Sequence, residues 1–105
     1  MTQVTLLYTT FASKEDALRI SQNLLEKRLI ACVNLLPQIH SLYLWEGKME
    51  NIRETAVILK TTSEKISELV KILQDLHPYE TPAILEIPLH FTNEPFAKWI
   101  QEAVR

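Results

Sequence analysis

The hydrophobic residues of this chain change period in a fixed order, and that order leaves few folds open. Val4 to Thr10 is β-branched and apolar and predicts a first strand. Ser13-Lys14-Glu15-Asp16 follows as a helix start, with a serine able to cap free amides and two acids in the positively polarised first turn. Ala17, Ile20 and Leu24, with the row Leu18, Leu25 and Leu29, carry helical spacing to about Leu29. Ile30 to Trp45 is a long extended stretch interrupted by Pro37, where a missing ladder donor predicts a bulge or bend. Glu46-Gly47-Lys48 is the expected tight turn, and Glu54 to Thr62 returns as the other arm of a hairpin. A second helix, capped near Thr62 or Ser63, carries the stripe Ile66, Leu69, Val70, Leu73 and Leu76. His77-Pro78 ends it, because the residue before a proline is pushed out of the helical region. Ala83 to Leu89 predicts a fourth strand, and Asn93-Glu94-Pro95 opens a C-terminal helix with Phe96, Trp99, Ile100 and Val104.

Strand, helix, strand, strand, helix, strand is the split βαβ pattern of an α+β, ferredoxin-like sheet, here with an extra C-terminal helix. The 105 residues suit a single domain, 1–105. In such a fold both main helices cover one face of the sheet, and strands facing water on the other should alternate. Leu42-Tyr43-Leu44-Trp45 and Ala56-Val57-Ile58-Leu59 do not alternate. The second face therefore needs a cover, and self-association through these two paired strands is the expected one. A bound apolar ligand is the runner-up.

Composition removes several functions. The single glycine, Gly47, excludes Gly-rich phosphate loops and dinucleotide fingerprints. The single cysteine, Cys32, excludes an internal disulfide and any CxxC motif, and points to a reducing compartment. A net charge of -2 and a pI near 5.9 give no electrostatic footprint for nucleic acid. The longest apolar run, Leu29 to Val33, is too short for a signal-peptide core or a membrane span. A cytoplasmic protein with neither nucleic-acid nor membrane partner is expected.

The residues that could carry chemistry are few. Cys32 is either a soft metal ligand or nucleophile, or a small buried hydrophobe. His77 opens His77-Pro78-Tyr79-Glu80, where imidazole, phenol and carboxylate could hold a metal or a small polar ligand. Alternatively it complements the negative end of the preceding helix. His40 and His90 are isolated. Trp45 is a binding platform or an interface anchor. Glu15/Asp16 and Glu50/Glu54 read as solvated carboxylates. Ser41 beside His40 is no nucleophile–base pair, because neighbours on a strand point to opposite faces. No catalytic set emerges, so the chain is read as a non-enzyme without an organic cofactor.

Four segments in register resemble one family. They are Ala31-Cys32-Val33-Asn34-Leu35, Ser41-Leu42-Tyr43-Leu44-Trp45-Glu46-Gly47-Lys48, Leu59-Lys60-Thr61-Thr62 and His77-Pro78-Tyr79-Glu80-Thr81-Pro82. Their order and spacing, from Val4 to Trp99, are similar to those of the CutA proteins of divalent-cation tolerance. The resemblance implies a ferredoxin-like homotrimer built like the PII signalling proteins, with long hairpin strands exchanged around a three-fold axis. It also implies a link to copper or another divalent cation. By position it places Cys32 and His77 among the family's metal contacts. This chain departs from some relatives at Tyr8, where they have cysteine, and at Leu76, where they have a second histidine. The expected functions are a metal-responsive trimer with weak copper sites, a PII-like small-molecule sensor, and an oligomeric scaffold for other proteins. His77, with its ring near the surface, is the expected main metal determinant.

Overall fold

The computed structural model describes residues 3–105. Its elements are β1 (Val4–Phe11), α1 (Lys14–Glu26), β2 (Cys32–Trp45), β3 (Lys48–Thr62), α2 (Ile66–Leu76), β4 (Ile84–Pro88) and α3 (Glu94–Ala103). A short 3-10 turn, Ser63–Lys65, precedes α2. The sheet order is β2-β3-β1-β4, and every neighbouring pair is antiparallel. This is the α+β, ferredoxin-like arrangement expected from the order of elements.

One face of the sheet is dry. Leu7 and Phe11 of β1, Val57 and Leu59 of β3, and Ala17, Ile20 and Leu24 of α1 join Leu69 and Leu73 of α2 in a buried core. Truncating one of these leucines to alanine costs about 2–5 kcal/mol through lost contacts and the cavity left behind. Ser13 caps α1 as expected, accepting from the Asp16 amide at 3.1 Å. The capping expected for α2 is absent: Thr62 makes no side-chain cap bond, and the 3-10 turn delays the helix to Ile66.

The first helix stops three residues before the predicted Leu29. The Arg28 amide bonds Leu25 O at 3.0 Å and the Leu29 amide bonds Leu24 O at 3.1 Å, with Arg28 at φ 58. These are the two bonds of a Schellman termination, which usually places glycine where Arg28 stands. Leu18 and Leu25 are exposed, and the buried stripe is Ala17, Ile20, Ser21 and Leu24.

The hairpin forms around a two-residue loop, Glu46-Gly47, with both residues at positive φ (51 and 78). That backbone twist suits the right-handed twist of the strands. The register slips between Leu36 and Ile39, and Gln38 takes φ 59, so the bulge at Pro37 is present. The return arm is longer than predicted, beginning at Lys48 rather than Glu54. The two apolar quartets are not paired: Leu42–Trp45 lies opposite Lys48–Asn51, and Ala56–Leu59 opposite Val33–Leu36. Their environments differ accordingly. Ala56, Val57 and Leu59 are buried, while Leu42, Leu44, Trp45 and the facing Met49 are 63–68% exposed.

Side chains alternate across a strand, so Lys60 and Ile58 point away from the core that holds Leu59 and Val57. Lys60 Nζ lies 5.7 Å from the Phe96 ring centroid, which places α3 on this second face. There α3 buries Ile100, and Val104 just after the helix is buried as well. By register, Leu36 of β2, Tyr8 of β1, and Leu85 and Ile87 of β4 share that face, and all but the half-buried Tyr8 are exposed.

Candidate functional site

Pro78 forces the chain out of α2, and His77 leaves it with ψ 131. The ring then turns inward instead of outward. It stacks on Phe11 with centroids 4.4 Å apart and planes 11° from parallel, and the residue is 7% exposed. The surface ring expected from the sequence is therefore corrected: the aromatic floor offered by Phe11 draws it into the protein.

Both ring nitrogens are engaged. Nε2 is 2.9 Å from Thr10 O and 3.2 Å from Thr9 Oγ1. A carbonyl oxygen only accepts, so Nε2 carries the proton. Nδ1 accepts from the Tyr79 amide at 3.1 Å. A second proton on Nδ1 would face that N–H directly. Burial lowers the His77 pKa, against the raising influence of the Thr10 bond and of the Glu54 and Asp16 charges.

Tyr79 continues the chain of contacts. Its ring is tilted against His77 at 5.0 Å, and its hydroxyl donates to Glu54 Oε2 at 2.6 Å. Burial, the bond to Glu54 and the nearby negative charge push the phenol pKa far above its ordinary value. Burial alone would raise the Glu54 pKa. Side-chain hydrogen bonds from Ser41, Tyr79 and Thr10 outweigh it, and the carboxyl titrates below the ordinary range. Glu54 is thus a fixed, ionised acceptor and not the solvated carboxylate that the sequence suggested.

These residues border a groove of about 640 Å³ between the hairpin and the loop after α2, lined by Thr10, Tyr43, Trp45, Glu50, Glu54, Tyr79, Thr81 and Ala83. The sequence points to Trp45 and to the His77–Pro82 segment but not to Tyr43 and Glu54 as groove residues. The signal available was that Ser41–Lys48 and His77–Pro82 were both distinctive segments. Nothing local showed that the fold brings them together.

Cys32 lies elsewhere. It stands opposite Lys60 on β2, on the sheet face away from the core and from His77. It is half-buried; desolvation raises the thiol pKa and Lys60 partly opposes this. His40 is exposed and 3.2 Å from Asn51 Oδ1, and His90 is exposed beyond β4. Among the described residues no three His, Cys, Asp or Glu side chains converge as a metal site. A single copy of the chain does not fit a bound divalent metal through Cys32 and His77. They are on opposite faces, and the imidazole has no free lone pair.

A split βαβ sheet with a bulged hairpin of this length, and a His-Pro-Tyr turn packed against its inner strands β1 and β3, defines a ferredoxin-like protein whose second face is only partly covered by α3. Residues 5–103 match the family model described as CutA1 divalent ion tolerance protein. The chain is 46% identical to the divalent-cation tolerance protein CutA of Thermotoga maritima, over 94% of this chain and 97% of that one. The fold is similar to the crystal structure of the divalent ion tolerance protein CutA1 from Ehrlichia chaffeensis, with TM-score 0.97 and 43% identity, covering 100% of this chain and 98% of the other. It is similar also to the structure described as the periplasmic divalent cation tolerance protein CutA from Archaeoglobus fulgidus, with TM-score 0.93 and 44% identity, covering 98% and 100%. The chain belongs to the CutA1 divalent ion tolerance family. No described helix is long and apolar enough to cross a membrane.

Proposed function

We propose that this chain acts as a homotrimer in tolerance of divalent cations, as a binding protein and not as an enzyme. The observation that carries the reading is the apolar end of the hairpin, where Leu42, Leu44, Trp45 and Met49 stand 63–68% exposed. Four large apolar side chains on one projecting arm are too many for an isolated surface. The open second face, with Leu36, Leu85 and Ile87, offers a seat of matching character. Arms exchanged around a three-fold axis would cover both.

Copper or another divalent cation binds weakly in this reading, because one copy supplies no converging set of donors. Ligands from more than one copy complete whatever site exists. The cytoplasm is the proposed compartment, where the lone Cys32 would stay reduced. The test is sedimentation velocity of wild type and Leu44→Asp. A charge placed in a dry interface costs several kcal/mol, on the order of 3–5. The variant should sediment as a smaller species with an unchanged circular dichroism spectrum. Equal sedimentation would remove the hairpin from the interface.

A further inference from the structure

A second groove, of about 550 Å³, opens between the turn before α2 and the last turns of α3. Thr62, the last residue of β3, forms its buried wall, at the end of that strand away from the hairpin loop. The groove shares no described residue with the projecting arm or with the apolar seat of Leu36, Leu85 and Ile87. Its polar groups are unevenly engaged. Glu64 and Gln101 already have partners. Among the described residues, Lys65, Lys98 and the Arg105 guanidinium have neither an ion pair nor a side-chain hydrogen bond. Thr62 is 3% exposed, yet its hydroxyl caps no helix and meets no other described group. A buried hydroxyl left this way costs free energy until a partner completes it.

Three cations and a hydroxyl call for acceptor oxygens. Glu102 is the acid set against them, and at the end of α3 the Val104 and Arg105 amides already occupy Ile100 O and Glu102 O. A metal ion would meet three like charges. An apolar molecule would find Val104 and no aromatic surface in the lining, and the same lack denies a nucleobase its stacking partner. A singly charged anion would pair with one cation and leave the other two repelling each other. A compact polyanion answers every donor. Guanidinium binds phosphate oxygens as a fork, ammonium binds them as a point charge, and the hydroxyl donates to one more. We infer that this groove binds a small diphosphate, held between Lys65, Lys98 and Arg105, with the Thr62 hydroxyl donating to one of its oxygens.

The inference is independent of the trimer and cation readings, and it can fail while both stand. The experiment is calorimetric titration of the full chain with sodium pyrophosphate, in metal-free buffer at low salt. Saturable heat with one diphosphate per chain is expected, weakening as salt screens the three cations. Lys65→Ala and Lys98→Ala should each weaken binding roughly tenfold, the loss of one charge-assisted contact. Thr62→Val keeps the shape and every charge, and should weaken binding severalfold. A general attraction of anions to positive surface would not feel that change. Lys98 is exposed on α3, so its variant serves if Thr62→Val does not fold. Sodium sulfate, which is smaller and cannot span the cations, should give far weaker heat. Absence of saturable heat overturns the proposal. So does binding that the lysine variants leave undiminished, binding that a folded Thr62→Val leaves unchanged, or sulfate matching pyrophosphate.

Discussion

Tyr79 donates its hydroxyl to Glu54 Oε2 at 2.6 Å, tying the loop after α2 to β3 between residues 25 apart in sequence. The bond closes one end of the groove and fixes a carboxylate that also accepts from Ser41 and Thr10. Tyr79→Phe leaves the ring against His77 and removes only the donor. Hydrogen bonds to charged groups contribute about 1.5–3 kcal/mol, and partial solvation of this pair puts the expected loss near the lower end. Urea denaturation should show it as a lower midpoint with an unchanged slope.

His77 makes stability depend on pH in a defined direction. Burial holds its folded pKa below the ordinary 6.5, so below pH 6.5 the unfolded chain takes a proton that the native chain refuses. The stability tied to neutral His77 is complete above pH 6.5 and is lost as pH falls through the folded value. Glu54, whose folded pKa is below 4.5, contributes in the same sense but only in the more acidic window that opens there. Denaturation midpoints of wild type should fall from pH 7 toward pH 5, and those of His77→Gln should stay nearly flat over that range. Parallel curves would show that the ring is not the group that titrates.

Arg28 sits at φ 58 at the end of α1, a conformation that costs a side-chain-bearing residue about 1–2 kcal/mol. Arg28→Gly removes that strain but gives the unfolded chain more freedom, worth about 0.4–1 kcal/mol in the other direction. A net gain of roughly 0.5 kcal/mol follows, read as a small rise in thermal midpoint. A fall would mean that the guanidinium holds a contact of its own.

The engaged nitrogens of His77 bear on metal binding as well. Copper(II) titrated into wild type and into His77→Ala at neutral pH should give the same weak isotherm, since the imidazole offers no lone pair in the native state. Loss of binding in the variant, with its fold intact by circular dichroism, would show that the ring swings out to take the metal.

Much of the fold is legible from single residues. Ser13 announces α1, Pro37 the bulge, Gly47 the hairpin loop and His77-Pro78 the end of α2, each because local backbone chemistry allows little else. The misreadings arise where a tertiary contact overrides a local signal. Arg28 terminates α1 at a position where glycine would have been the visible sign. Leu42–Trp45 and Ala56–Leu59 look alike in sequence, yet only the fold decides that one is core and the other projects. His77 reads as a surface ring because nothing near it in sequence reveals Phe11 beneath it. Glu54 reads as solvated because its donors come from β1, β2 and the loop after α2.

The central claim is that the projecting hairpin exists to be covered by other copies of the same chain. Light scattering coupled to size exclusion measures this directly on the untagged protein at micromolar concentration. The expected mass is three times the 12.2 kDa of one chain, unchanged on dilution through that range. A soluble species of 12.2 kDa, with Leu42, Leu44 and Trp45 left in water, would contradict it.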